Sequence, residues 1–156
     1  MRLLSIFTLT LVMIVAPIKG TAQNKSKNSK AKESTSQIIH LTLNSFKEKV
    51  WDFEKNPDKW VYEGDKPCII DFYANWCGPC KKQTPILEEV AKENSNSLII
   101  YKINIDKEQT LAQIFNAYQI PALLFVPLNS TPQMAIGLMP KETLVEAMNK
   151  VLFNKE

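Results

Sequence analysis

Residues Cys68 to Ala74 read Cys-Ile-Ile-Asp-Phe-Tyr-Ala. Ile69, Ile70, Phe72 and Tyr73 leave this run without a polar face, so as a strand it has to be covered on both sides. That requirement selects a layered α/β architecture, with helices above and below a sheet. The rest of the chain supplies the layers. Leu98 to Ile105 reads as a second central strand and Ala122 to Val126 as a third. Helices are predicted over Gly78 to Glu93, Glu108 to Tyr118 and Lys141 to Phe153. In the first of these, Ile86, Leu87, Val90 and Ala91 lie on one side. Upstream, Ile38 to Thr42 reads as a short strand, and Asn44 is placed to cap a helix carrying Phe46, Val50, Trp51 and Phe53. Asn56 to Lys66 is turn-rich, with Trp60 and Tyr62 as the apolar surface that pins it down. Gln133 to Leu138 completes a hairpin around Asn129-Ser130-Thr131-Pro132. Strands joined by single helices need right-handed crossovers, and the closing hairpin adds antiparallel strands, so the predicted sheet is mixed.

Two segments of different character precede this domain. In Met1 to Ala22, Arg2 is followed by a largely apolar run from Leu3 to Ile18, shorter than the ~20 residues a membrane-crossing helix needs. Pro17 and Gly20 break it, and Gly20-Thr21-Ala22 offers small residues to a peptidase. The expectation is a signal peptide over 1–22, cleaved before Gln23, with an uncleaved anchor as the alternative. Residues 23–37 place Lys25, Lys27, Lys30 and Lys32 among Ser, Asn, Thr and Gln, as expected of a flexible polar and basic linker. The folded domain is therefore expected over 38–156, in an exported, periplasmic protein with no stable membrane insertion of the mature chain.

Composition narrows the function. With 45% apolar and 22% charged residues the chain is not wholly disordered. Lys and Arg number 19 against 16 Asp and Glu, too mild a balance for nucleic-acid binding. Three cysteines cannot build a multi-bridge scaffold, and a single histidine argues against a His-based metal centre. No glycine loop that cradles phosphate and no paired catalytic carboxylates appear, and no cofactor is implied.

Two features carry chemistry. Asp71 interrupts the apolar run, where an unpaired carboxylate is costly enough to favour its neutral form. It is either tolerated by hydroxyl or amide partners or used to handle protons, and its place six residues before a cysteine pair favours the second. That pair, Cys77 and Cys80 in Trp76-Cys77-Gly78-Pro79-Cys80, joins the end of the buried strand to a helix. At the helix N-terminus, free N–H groups and the positive dipole end favour a Cys77 thiolate, while Cys80, one turn inside, is more sheltered. Cys77 would then attack a substrate disulfide and Cys80 would resolve the mixed disulfide. Two other uses compete. A zinc half-site would have to recruit Cys68 and His40, since no second C-x-x-C exists. A purely structural bridge would stabilise little across so short a ring.

The run Asp71-Phe72-Tyr73-Ala74-Asn75-Trp76-Cys77-Gly78-Pro79-Cys80-Lys81 resembles the active-site segment of the thioredoxin family. Pro85 is similar to the proline inside that family's second helix. Tyr101 to Asp106 resembles the central strand, Tyr118-Gln119-Ile120-Pro121 the cis-proline loop, and Gly137 the glycine beside it. The resemblance spans roughly Ile38 to Phe153 and implies a thioredoxin fold, a central mixed β-sheet flanked by four helices. It implies a redox disulfide between Cys77 as nucleophile and Cys80 as resolving thiol. Asp71 becomes the proton acceptor and Lys102 the cation that modulates it; Lys102 could otherwise be a solvent-facing strand charge. Trp76, Gly78, Pro79, Ile120, Pro121 and Gly137 would line the substrate groove, although Trp76 could instead be ordinary core packing. No metal is implied.

Departures from the family pattern bear on function. Ala122 stands where a threonine is common, Phe53 to Lys66 is longer and more aromatic than usual, and Cys68 adds a third thiol that reads as a small buried hydrophobe. The Gly78-Pro79 pair resembles reducing thioredoxins. A Pro-His pair and a large helical insertion, usual in the strongly oxidising periplasmic branch, are missing. The expectation is a protein-disulfide reductase outside the cytoplasm, acting on protein disulfides and recharged by a membrane electron donor, with a monomer as the default. A disulfide oxidant or isomerase, and a non-catalytic peptide-binding module or holdase, are the alternatives.

Overall fold

The computed structural model describes residues 38–155, so the expected signal peptide and linker lie outside the described residues. In chain order the elements are β1 Ile39–His40, α1 Leu43–Lys49, β2 Cys68–Tyr73, α2 Gly78–Glu93 and β3 Ile99–Asn104. They continue with α3 Gln109–Ile114, β4 Ala122–Val126, β5 Gln133–Ile136 and α4 Lys141–Leu152. The five strands form one sheet in the order β1-β3-β2-β4-β5. β1, β3 and β2 run parallel, and β4 and β5 are antiparallel to their neighbours, giving the mixed sheet expected.

β2, apolar apart from Asp71, and the fully apolar β4 are neighbours in the sheet's interior because both their faces are covered. On one face Ile70, Phe72, Tyr101, Ile103, Ala122 and Leu124 pack with Phe46 and Val50 from the α1 region and with Leu111 of α3. On the other, Ile69, Ile100, Leu123 and Phe125 meet Leu87, Val90 and Ala91 of α2 and Leu144, Met148 and Leu152 of α4. Each fully buried side chain of this size contributes about 1.5–3 kcal/mol.

β1 and β5 end two residues short of the sequence expectation, at His40 and Ile136, and three differences at helix ends have a local cause. Thr42, not Asn44, caps α1: its Oγ1 accepts from the Ser45 N–H (3.4 Å), while the Ser45 Oγ accepts from the Thr42 N–H (2.8 Å). This reciprocal box needs the hydroxyl three residues ahead, which Asn44 lacks. α1 stops at Lys49, so Trp51 and Phe53 fall in the irregular segment that follows. α3 ends at Ile114, short of Tyr118. Asn116 turns left-handed (φ 51°), and the N–H groups of Asn116 and Ala117 return to the carbonyls of Gln113 and Ala112 at 3.1 and 2.8 Å. That is a Schellman closure, with asparagine in place of the commoner glycine.

The segment between α1 and β2 is held by its aromatics, as expected of Trp60 and Tyr62. Trp51 stacks obliquely on Trp60 (5.0 Å between centroids) and meets Phe53 edge-on, and Trp60 reaches Phe115. The Trp51 indole N–H donates to the Lys59 carbonyl at 3.0 Å, and the Tyr62 hydroxyl to that of Lys66 at 2.6 Å.

Candidate active site

α2 begins where β2 has left the sheet, and the turn between them is built on the cysteine pair. The Cys77 N–H returns to the Ala74 carbonyl at 3.2 Å, and Cys77 itself is the N-cap of α2, with extended backbone. Its sulfur accepts the Cys80 backbone N–H at 3.1 Å, so a free donor of the helix's first turn is aimed at Sγ. Pro79 occupies the first turn, where a missing N–H removes nothing from the helix. The two sulfurs are joined in a disulfide, with Cα atoms 5.3 Å apart.

The exposure of the two cysteines differs less than their sequence positions suggest. In the disulfide form Cys77 is 4% exposed and Cys80 2%. What distinguishes them is the helix end: Cys77 receives a backbone donor and sits between the exposed residues Trp76 and Gly78, whereas Cys80 lies one turn inside. Neither a zinc half-site nor a free pair is seen. Cys68 is enclosed in the core on the α1/α3 side of the sheet, and its thiol is pushed up to about 12 by burial. Among the described residues no group of three His, Cys, Asp or Glu side chains converges as metal ligands.

Beneath the pair, β2 and β3 bring two chargeable side chains side by side. Asp71 is completely buried on the α2 side, in register with Lys102 on β3. The Lys102 Nζ stands 3.0 Å from Asp71 Oδ2, an ion pair without hydrogen-bond alignment, since both carboxyl oxygens lack an aligned donor. Burial holds the Asp71 carboxyl above the usual carboxylate range, and the attraction of Lys102 offsets this only in part. Lys102 is itself only 5% exposed, so it is no solvent-facing charge. Its ammonium donates to Thr84 Oγ1 at 2.6 Å and lies 4.5 Å over the Tyr73 ring. Thr84, one turn beyond Cys80 in α2, donates in turn to the Cys80 carbonyl at 3.2 Å. A cavity of about 130 Å³, partly open to solvent, is bordered by Cys80 and Thr84 of α2 and by Tyr73 and Lys102 of the sheet. Asp71, in register with Lys102, is not on the cavity wall.

The remaining predicted groove residues come together at the open end of the sheet. The Ile120–Pro121 bond is cis, and Ile120 packs against the cluster of Ala74, Cys77 and Cys80. Gly137 adopts φ +102°, which an L side chain rarely does, and its N–H donates to the Pro121 carbonyl at 2.8 Å. Trp76 is 68% exposed, which rules out core packing, and its indole N–H donates to the Asp106 carboxylate at 3.1 and 3.3 Å. Sequence reasoning missed four contributors: Thr84, Tyr73, Asp106 and Gln83. Gln83 is fully buried and clamps the Met139 backbone in both directions (2.8 and 3.2 Å), tying the segment after Gly137 to α2. Only Thr84 had a local signal, its position four residues after Cys80 on the same helix face.

The arrangement is one dithiol at a helix head, one buried acid linked to its far side through a lysine, and an apolar lip beside a cis-proline turn. Comparison with known proteins agrees. The family profile described as Thioredoxin matches residues 37–150. The chain is 42% identical over 104 residues to a thioredoxin of Borreliella burgdorferi, covering 67% of this chain and 88% of that one. It is 36% identical over 118 residues to a thioredoxin of Buchnera aphidicola, covering 76% and 98%. The crystal structure of a chloroplastic thioredoxin z matches in fold, with a TM-score of 0.62 at 20% identity, over 74% of this chain and 94% of that one.

Proposed function

The chain belongs to the thioredoxin family and is a thiol–disulfide oxidoreductase with the family's fold; from that premise we propose that it reduces protein disulfides outside the cytoplasm, with Cys77 as nucleophile and Cys80 as resolving thiol. The observation that carries this reading is the Cys77 sulfur accepting the Cys80 N–H at the head of α2. A donor fixed there favours negative charge on that sulfur once the disulfide is opened.

In the reaction, the Cys77 thiolate attacks one sulfur of the substrate disulfide. The Cys77–substrate bond forms, the substrate S–S bond breaks, and the leaving thiolate takes up a proton. Cys80 then loses its proton, with the buried Asp71, paired with Lys102, as the acceptor. The Cys80 thiolate attacks Cys77 Sγ, closes the 77–80 disulfide and releases the second substrate thiol. Two electrons have passed to the substrate. Trp76 forms the apolar lip, Gly78 and Pro79 the floor beside the sulfurs, and the Ile120 backbone ahead of Pro121 the edge on which an extended substrate segment pairs. The leader-like 1–22 segment supports export. Outside the cytoplasm, no soluble dithiol pool recharges the protein, so a membrane-held donor dithiol is the partner this reading requires.

The test is Cys80→Ser expressed in its native compartment. The variant should retain mixed disulfides on Cys77, naming substrates and donor together. No trapped proteins, together with no turnover of a model protein disulfide by the wild type, would overturn the reading.

A further inference from the structure

The buried ion pair is the inner part of a longer row. His40 on β1 is in register with Lys102, and Lys102 with Asp71, so three ionisable residues stand side by side across three adjacent parallel strands. Register partners share a face, and this row ends beyond Asp71 in Leu123 of β4 and Ala135 of β5. Its outer member is exposed at the sheet edge. Tyr73, two residues after Asp71 on the same face, joins the two ends. Its hydroxyl lies 3.3 Å from His40 Nδ1, its ring meets the imidazole edge-on at 5.8 Å, and the same ring carries the Lys102 ammonium at 4.5 Å. From α2, the row is faced by Thr84, Cys80 and Lys81 around the cavity. An exposed imidazole is the side-chain type that changes charge between pH 5 and 8.

We propose that His40, held beside the Tyr73 hydroxyl at the outer end of the row, is a positioning residue for the Lys102–Asp71 pair, a surface imidazole whose charge modulates that pair. This deepens the reading above, because it rests on Asp71 as proton acceptor for Cys80. When His40 is protonated, its charge favours the Asp71 carboxylate; the imidazole already acts in that direction, after burial and Lys102. The base is therefore kept available as the pH falls. A hydroxyl can donate to or accept from Nδ1, so the Tyr73–His40 contact is available in both charge states of the ring. Strand spacing places His40 and Asp71 roughly 10 Å apart. Across that distance, between protein-surface and water-like screening, one charge moves the other's titration by roughly 0.3 to 1 pH unit.

The coupling is reciprocal and can be read from either end. His40 is the single histidine of the chain, so its ring signals need no assignment. In Asp71→Asn, NMR titration of that ring should shift to lower pH by roughly 0.3 to 1 unit, because a negative neighbour has been lost. In His40→Gln, the acid limb of the mixed-disulfide resolution rate should shift to higher pH by a similar amount. Tyr73→Phe keeps the ring under Lys102 but drops the hydroxyl, and it should shrink both shifts. An unchanged His40 titration in Asp71→Asn overturns the inference. A shifted titration in that variant with an unmoved rate profile in His40→Gln keeps the coupling and instead removes Asp71 as the base. Full shifts in a Tyr73→Phe background take Tyr73 out of the link.

Discussion

Replacing Asp71 by Asn should make the protein more stable at pH 8 while slowing its chemistry. The carboxyl is completely buried, and neither oxygen has an aligned donor. Two large effects oppose each other there. The attraction of Lys102 at 3.0 Å is about 5 kcal/mol at an effective dielectric of ~20, and the desolvation of each buried ion is several kcal/mol. The direction of the Asp71 shift decides between them: its carboxyl is raised, so burial wins and the charged form is the strained one. Removing one member of a buried pair ordinarily strands the other at 3–5 kcal/mol. Lys102 is not stranded, because it keeps Thr84 Oγ1, the Tyr73 ring and an oxygen of the new amide. The net gain expected is therefore about 1–3 kcal/mol, the scale of a buried group relieved of an unsatisfied charge.

The pH dependence gives the sign. The folded-state carboxyl lies above its unfolded value near 3.8, so folding takes up a proton in the window between the two. Wild-type stability falls as pH rises through that window, by at most about 1.4 kcal/mol per pH unit. Above it the penalty is complete, and below the unfolded value it is gone. Urea unfolding of both proteins from pH 4 to pH 8 measures the gap. It should be largest at pH 8 and close as the solution is acidified, while resolution of the mixed disulfide slows in the variant near neutral pH. A gap that is independent of pH, or a variant less stable at pH 8 than at pH 4 relative to wild type, would refute the reasoning.

In the reduced protein, iodoacetamide near pH 7.5 should modify Cys77 at least about tenfold faster than Cys80, because a thiolate at a helix head is the reacting species. Cys68, fully buried with its thiol pushed up to about 12, should stay unmodified until the protein unfolds. Peptide mapping checks both, and equal, slow labelling of Cys77 and Cys80 would remove the helix-head argument. Trp76→Ala should change stability by less than about 0.5 kcal/mol, since the side chain is 68% exposed. It should nonetheless raise KM for protein disulfides several-fold, with turnover of small disulfides little changed. Equal losses on both substrate types would show that Trp76 supports the cysteine turn and not the groove.

How much of this was legible in the sequence depends on the distance over which each feature is encoded. The apolar run of β2, the cysteine pair after it and the acid within it are all local, and each stands where the residues predicted. Helix ends were less legible for local reasons. Thr42 and Asn44 are both competent caps, and only the Ser45 hydroxyl reaching back to Thr42 decides between them. The apolar pattern of Ile114, Phe115 and Tyr118 continues past the Asn116 turn, so periodicity overran the end of α3. The partners of the site are a different matter. Asp71 beside Lys102, Lys102 beside His40 and Trp76 over Asp106 are products of strand order and register, which no stretch of sequence states alone. Lys102 was reached through resemblance; Tyr73 and Thr84, with no motif of their own, were not.

That dependence on register also divides the sheet by task. The α1/α3 face is built from Phe46, Ile70, Phe72, Ile103, Leu111 and Leu124, all apolar and nearly or wholly enclosed. Every ionisable member of the His40–Lys102–Asp71 row projects to the other face, under the α2 turn that holds the sulfurs. A strand alternates its side chains, so β2 can present Ile70 and Phe72 to one side and Asp71 and Tyr73 to the other without compromise. Truncating Phe72 then costs stability by cavity formation, about 3–5 kcal/mol, and leaves the row intact. Changing Asp71 to Asn, by contrast, is expected to slow resolution of the mixed disulfide and to add stability at pH 8. Under the proposed reaction Asp71 is the acceptor for the Cys80 proton, so the position least favourable for folding is the one the chemistry would use, while the packing of the opposite face supplies burial energy independent of it.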